Sequence, residues 1–213
     1  MHFEFLSEDK SGAILLEKIL PRFFAGMSDI TFRIHPFRGI GRIPKDLKAT
    51  GNPAHRILLA QLPRHLKGYL NVPGIDAVVV LLDADDRPIQ AFERELKQFA
   101  IEKGADAMAI FCLAVEEMEA WLLGDIKAVL KAYPKARRKI LDQYRQDSIC
   151  GTWEVLADAI HPGGSRSLSK QPYPIVGRAK CEWAENIAVH LDFENNESMS
   201  FRKFTRNILE KAA

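Results

Sequence analysis

Cysteine is scarce: Cys112, Cys150 and Cys181 are the three in 213 residues, and none belongs to a Cys-x-x-Cys pair. So odd and scattered a set argues against a disulfide framework and a thiolate zinc site, and favours a reducing, cytoplasmic setting. Long apolar runs are missing as well. The longest, AMAIFCLAV near residue 110, falls far below the roughly 20 residues that span a bilayer. The opening MHFEFLSEDK brings acids at once and lacks the basic-then-apolar order of a signal peptide. No membrane association is expected. There is no internal repeat and no Walker A sequence, so any ATPase activity would have to come from a partner.

What is present suits a globular chain. Hydrophobic residues make up 47%, ample for one large domain or one domain with a smaller appendage. The net charge of +2 conceals a polarity. Residues 31–70 hold eight Lys/Arg against the single acid Asp46, whereas residues 76–125 hold twelve acids against four bases. A solvated face is the ordinary reading of each excess. A basic arm beside an acidic cluster also suits a polyanion held over bound metal.

HFEFLSE alternates like a short strand over 2–7, and AILLEKILPRFF follows with helical spacing, Pro21 bending or shortening its last turn. ITFRIHPF reads as a second strand, FRGIGRIPKDLKATGNP as a basic loop, and AHRILLAQLPRHLKGYL as helical on either side of Pro63. The run Ala77–Leu82 is too short for a helix and too uniformly apolar for a strand with one wet face, which places it inside a parallel sheet. A helix over 88–103, the strand AMAIFCLAV and a helix opened by EEMEAWLLGD complete an α/β pattern. The pattern implies a doubly wound, Rossmann-like, mostly parallel sheet with helices on both faces, whose ligands gather at the carboxyl ends of the strands. Beyond Asp125 the pattern turns helical (126–146, 151–160, 178–190, 200–212), which gives a core over 1–125 and a helical appendage over 126–213 packed on it.

Three acidic groups follow three of the strands: Glu8 with Asp9, then Asp83, Asp85 and Asp86, then Glu116, Glu117 and Glu119. Clustered carboxylates repel one another and resist burial, so either water spreads them apart or a cation joins them. Hard oxygen ligands without His or Cys at ligand spacing favour Mg2+ or Mn2+ over zinc. If a helix begins near Val115, Glu116 and Glu119 share a face and Glu117 points elsewhere. Gly39 and Gly41 form a weak Gly-x-Gly that could present amides to phosphate with Arg42 or Lys45. Lys180, near an expected helix start, is a candidate phosphate or transition-state cation, an ordinary surface lysine being its plain alternative. Trp121, Leu122 and Leu123 read as core.

A Glu after the first strand, then an apolar strand ending in Asp-x-Asp, resembles the Toprim catalytic domain of topoisomerases, primases and OLD-type nucleases. LAVEEMEAWLLGD and NNESMSFRKF resemble an uncharacterised prokaryotic Toprim-like family often encoded beside ABC-type ATPases and suspected of acting in phage defence. The resemblance implies that Glu8, Asp83 and Asp85 hold Mg2+ or Mn2+, with Glu116 or Glu119 as a further ligand or water-orienting base. It implies a nuclease that grips the nucleic-acid backbone through Lys/Arg, for which Lys10, Arg38, Arg42 and Lys45 are the candidates. Many relatives have Glu-Gly where this chain reads S-E-D-K-S-G, so close backbone approach by glycine is delayed to Gly12. Transesterification through a topoisomerase-type tyrosine is not expected. The rival expectation is a non-catalytic Toprim-like module that binds and regulates a partner ATPase. A haloacid-dehalogenase-type phosphatase needs Asp-x-Asp after the first strand, and here it follows the third.

Overall fold

The computed structural model describes residues 1–39 and 58–212. Four strands, β1 (His2–Ser7), β2 (Thr31–Pro36), β3 (Ala77–Asp83) and β4 (Ala109–Ala114), form one all-parallel sheet in the order β2-β1-β3-β4. The expected α/β, Rossmann-like class is therefore the observed one. The alternation of side chains along each strand divides the core in two. Phe3, Phe5, Val79, Leu81, Cys112 and Ala114 face one helical layer, and Leu6, Val78, Val80, Leu82, Phe111 and Leu113 face the other.

The second layer is made by α2 (Leu58–Tyr69) and α3 (Ile89–Glu102). The first is larger: α1 (Lys10–Phe23), α4 (Glu119–Leu123), α5 (Ile126–Ala132), α6 (Arg138–Leu141), α7 (Thr152–Ile160), α8 (Gly164–Leu168), α9 (Tyr173–Ala188) and α10 (Met199–Ala212). Its buried residues run from Phe3 to Ile208 in one continuous cluster, so the helices beyond residue 126 share their core with the sheet. None of the helices among the described residues is long and apolar enough to cross a membrane.

Proline placement refines the expected boundaries. Pro21 and Pro63 are accommodated inside α1 and α2, whereas the expected helix over 126–146 divides into α5 and α6 around Tyr133 and Pro134. Proline has no amide hydrogen and restrains the residue before it, which accounts for the break. The stretch between the expected helices over 151–160 and 178–190 contains α8, and α9 begins at Tyr173 rather than 178.

The two segments that carried the family resemblance meet in space. Asn196 Nδ2 donates to the Trp121 carbonyl (2.9 Å), Trp121 Nε1 donates to Ser200 Oγ (2.9 Å), and the Glu197 amide donates to the Gly124 carbonyl (2.7 Å). A Cβ on Gly124 would lie 2.1 Å from Asn196 Oδ1, so glycine is the residue that lets the two segments of this lock close. Trp121 is fully buried, as expected of core. Asp147 accepts from Ser198 Oγ and the Ser200 amide. Across the outer edge of β4, Lys203 of α10 and Glu93 of α3 form a 2.5 Å ion pair.

Candidate active site

From β1 the chain crosses to β2 on one side, and β3 then returns to the other side of β1. The strand order therefore reverses between β1 and β3. In open α/β sheets this switch point leaves a crevice beyond the carboxyl ends of the strands. Ser7 pairs with Leu81, so Glu8 and Asp83 leave adjacent strands at that crevice. The Glu8 amide donates to the Leu81 carbonyl (3.1 Å), and Glu8 Oε2 accepts from the Asp83 amide (3.0 Å).

The β1–α1 turn is held by Asp9, which caps α1 by accepting from Ser11 Oγ (2.7 Å) and the Gly12 amide (2.8 Å). A Cβ on Gly12 would lie 2.5 Å from Ser7 Oγ and 2.7 Å from Met118 Cε. Glycine at this position thus lets α1 approach the strand end closely. The Gly39 amide donates to the Glu8 carbonyl (2.9 Å), and the Leu58 amide donates to the Gly39 carbonyl (3.0 Å). Both flanks of residues 40–57 accordingly sit beside Glu8.

Burial dominates the electrostatics. It lifts Glu8 from 4.5 to about 7, opposed by the Asp83 amide and reinforced by the charges of Asp85 and Asp9. Burial also raises Asp83 well above the ordinary aspartate range, and the neighbouring Glu8 and Glu119 push it further. Asp83 Oδ1 is buried without a hydrogen-bond partner. Glu119, 2% exposed, is likewise raised to about 7 by burial, against the opposing pull of Lys180.

Lys180 reaches this cluster from α9. Its Nζ donates to Glu117 Oε1 (3.2 Å) and forms an ion pair with Glu119 Oε2 (3.3 Å) that lacks hydrogen-bond alignment. Burial alone would discharge it, but the carboxylates of Glu119, Glu117 and Asp83 prevail and raise its pKa. Lys180 therefore remains protonated, and Glu119 is the partner near its titration point at neutral pH.

Other sequence candidates are held by partners of their own. Asp85 has φ of 51° and pairs with Arg87 (2.8 Å), with its side chain 55% exposed; Arg87 also lies over the Phe92 ring. The expected helical face at Glu116 and Glu119 does not form, because α4 starts only at Glu119. Glu116 instead adopts φ of 58° and bridges to Asp85 through the backbone. Its carboxylate accepts from the amides of Cys150, Gly151 and Thr152 and from the Thr152 hydroxyl. Gly151, at φ of 80°, shapes the turn that presents them. Burial opposes this carboxylate's charge, but the Thr152 hydroxyl and the three amides outweigh it and lower its pKa. Glu116 thus anchors the start of α7. Glu117, expected to point away, shares Lys180 with Glu119.

Lys10 is exposed at the first residue of α1, and Arg38 is exposed just beyond β2, at the same end of the sheet as Glu8. Arg42 and Lys45, with Gly41, lie outside the described residues. Sequence reasoning named Asp9 and Glu117 among the acids without giving them these roles, and it passed over Arg87. Asp9 carried a signal in the helix-start pattern Asp-Lys-Ser-Gly, and Arg87 stands two residues from the acid it pairs.

These carboxylates suit a small hard cation. Mg2+ keeps several waters and is commonly bound through one or two carboxylates, which Glu8 and Asp83 could supply. Among the described residues no group of three or more His, Cys, Asp or Glu could cage an ion. The cleft of about 610 Å³ lined by Arg22, Phe23, Asp192 and Phe193 lies apart from the cluster. Its arginine is engaged by the carbonyls of Ala188 and Leu191 and by the Phe193 ring.

Fold and site together define a Rossmann-like α/β protein with a buried carboxylate–lysine cluster at its switch point. The model of a family described as "Domain of unknown function (DUF4276)" matches residues 7–209, and the chain belongs to that family. No curated protein and no solved structure matches it.

Proposed function

We propose that this protein is a Toprim-like, Mg2+- or Mn2+-dependent phosphodiester hydrolase acting on nucleic acid, with its centre at Glu8 and Asp83. The observation that carries the reading is the pair itself. Two carboxylates from adjacent strands converge at the switch point, and one has a buried oxygen without a partner. A bound dication would polarise the phosphoryl oxygen and lower the pKa of its water. Glu8 and Asp83 would hold and orient that ion. Lys180, fixed by Glu117 and Glu119, supplies a positive charge for the phosphate in a buried site, where such a charge acts strongly. Glu119, with its raised pKa, can accept or return a proton near neutral pH. Asp85 and Glu116 are left outside this set by their own partners. Lys10 and Arg38 are available to the phosphate backbone, contacts that position a strand without reading its sequence.

The test is a melting curve and a nuclease assay on the same preparations. Mn2+ should raise the melting temperature of the parent and support cleavage, whereas Asp83→Asn should abolish both. A variant that keeps the parent's metal-induced shift would overturn the assignment.

A second reading is favoured by Lys180. Because its ammonium already neutralises part of the cluster, the chain could be a non-catalytic Toprim-like module that binds and regulates a separate ATPase, of the ABC type suggested by the resemblance and suspected in phage defence. In that case the parent would show no metal-induced shift and no cleavage, alone or with such a partner.

A further inference from the structure

Strand β4 ends the sheet on one side, with no further strand beside it among the described residues. The Val78 amide donates to the Met108 carbonyl, and the Ala84 amide donates to the Ala114 carbonyl. Successive residues of a strand turn their backbone groups to opposite sides, so these two bonds fix the parity of β4. Ile110, Cys112 and Ala114 face β3, whereas Ala109, Phe111 and Leu113 turn their amides and carbonyls to the open edge. Water reaches this edge poorly. Phe111 is 6% and Leu113 9% exposed, yet among the described residues nothing bonds their outward amides or carbonyls. Buried backbone groups are nearly always paired. The outward groups on either flank are already spent: the Ala109 amide donates to the Ala105 carbonyl (2.8 Å), and the Val115 carbonyl accepts from the Glu117 amide (2.8 Å).

This pattern is complementary to itself. When a second β4 lies antiparallel with the two Cys112 residues opposite each other, Phe111 of each chain faces Leu113 of the other, and each such pair exchanges two bonds. Every free group of Phe111 and Leu113 is then satisfied. The Ala109 amide lies opposite the Val115 carbonyl, so the spent groups meet each other. A register two residues away in either direction sets a spent group against a free one. Charge points to the same occupant. Lys203 and Glu93 bridge the edge from opposite layers, and clefts of about 340 and 350 Å³ are each lined by both of them and by Phe111. Charged side chains commonly guard an open edge, and this lysine, 42% exposed, has room to swing aside. A second copy brings a second Lys203 and a second Glu93 to the same place, so the pair lost within each chain is regained between chains.

We propose that the outer edge of β4 is the interface of a two-fold dimer of this chain, its two sheets joined through antiparallel β4 strands. The same patch serves both copies, as two-fold symmetry requires. The proposal goes beyond the nuclease reading and does not depend on it. Because the paired strands run in opposite directions, the two carboxylate clusters stand on opposite rims of the joined sheet.

The experiment is sedimentation equilibrium of the full chain over a dilution series in EDTA. The parent should be a dimer that dissociates on dilution, and a parent that is monomeric throughout would overturn the proposal. Proline is tolerated in an edge strand where its missing amide would point away from the ladder. Leu113→Pro therefore spares the β3 pairing but deletes two of the four bonds between chains, a loss of about 5- to 150-fold in dimer affinity at ordinary net hydrogen-bond strengths. Lys203→Glu and Glu93→Lys, each alone, set like charges together and should be monomeric. Mixed in equal amounts they should form a heterodimer, since only there does residue 203 of each chain meet the opposite charge at residue 93 of the other. Thermal melts establish that the variants fold, and if Leu113→Pro does not, the mixing experiment decides. A mixture that stays monomeric would overturn the proposal. So would a dimer unaltered in Leu113→Pro and in both charge variants, which would join through another face.

Discussion

Replacing Glu8 by Gln should stabilise the metal-free protein at pH 8 and do little at pH 4.5. Glutamine keeps an oxygen to accept from the Asp83 amide but carries no charge into the buried cluster. In the folded chain Glu8 holds its proton to about 7, against 4.5 ordinarily. Between these values the native state binds more protons than the unfolded chain, so its stability falls as pH rises. The contribution is fully present below 4.5 and gone above about 7. At about 1.36 kcal/mol per pKa unit the gap sets a ceiling of about 3 kcal/mol, part of which is shared with Asp83. A gain of about 2–3 kcal/mol at pH 8 should raise the melting temperature by about 4–12 °C for a chain of this size. Melts of parent and variant in EDTA from pH 4.5 to 8 measure it. With Mn2+ added the order should narrow or invert, since only the parent keeps both ligands. A gain that is equal at both ends of the pH range, or a loss at pH 8, would refute the buried-charge reasoning.

Lys180→Met should cost about 3–5 kcal/mol at pH 8, because Glu119 is left charged and buried without its cation. The cost should shrink at pH 5, below the Glu119 pKa of about 7, and adding Glu119→Gln should restore most of it. Urea unfolding at the two pH values tests this, and a pH-independent loss would contradict it. Glu116→Gln should cost about 1–3 kcal/mol above pH 5 by weakening charge-assisted hydrogen bonds to α7. Its depressed pKa means that this stabilisation is present above the ordinary glutamate value and lost on acidification through the folded one. The same variant should keep the parent's metal-induced shift; losing it would return Glu116 to the ligand set.

The parallel sheet was legible in the sequence because Ala77–Leu82 and AMAIFCLAV are apolar on both faces, and strands of that kind require helices above and below. Glu8 and Asp83 were legible as acids placed directly after such strands, where little but strand length decides their location. The roles of Glu116 and Glu117 were not. Their orientation depended on a helix beginning at Val115, but a backbone bridge to Asp85 and three amides some 35 residues away hold Glu116 in a left-handed conformation. Such a distant hydrogen-bond partner leaves no periodic trace. The partner of Asp85 was hidden for a similar reason: Asp-x-Asp spacing says nothing of an arginine that pairs with the second carboxylate. Lys180 stood out only weakly, since its neighbours in space come from positions 83, 117 and 119.

The separation of Lys180 from those acids matters during synthesis. Chains emerge from the ribosome at about 5–20 residues per second, amino end first. Glu8, Asp83 and Glu119 are all made before the helix that brings their counter-cation, and the Asn196–Trp121 lock that secures α4 is made later still. A nascent chain that has exposed only the four strands must keep its acids protonated, hydrated or bound to a free dication. The native cluster closes only when α9 docks, so the order of translation delays the completed site until that helix has been made.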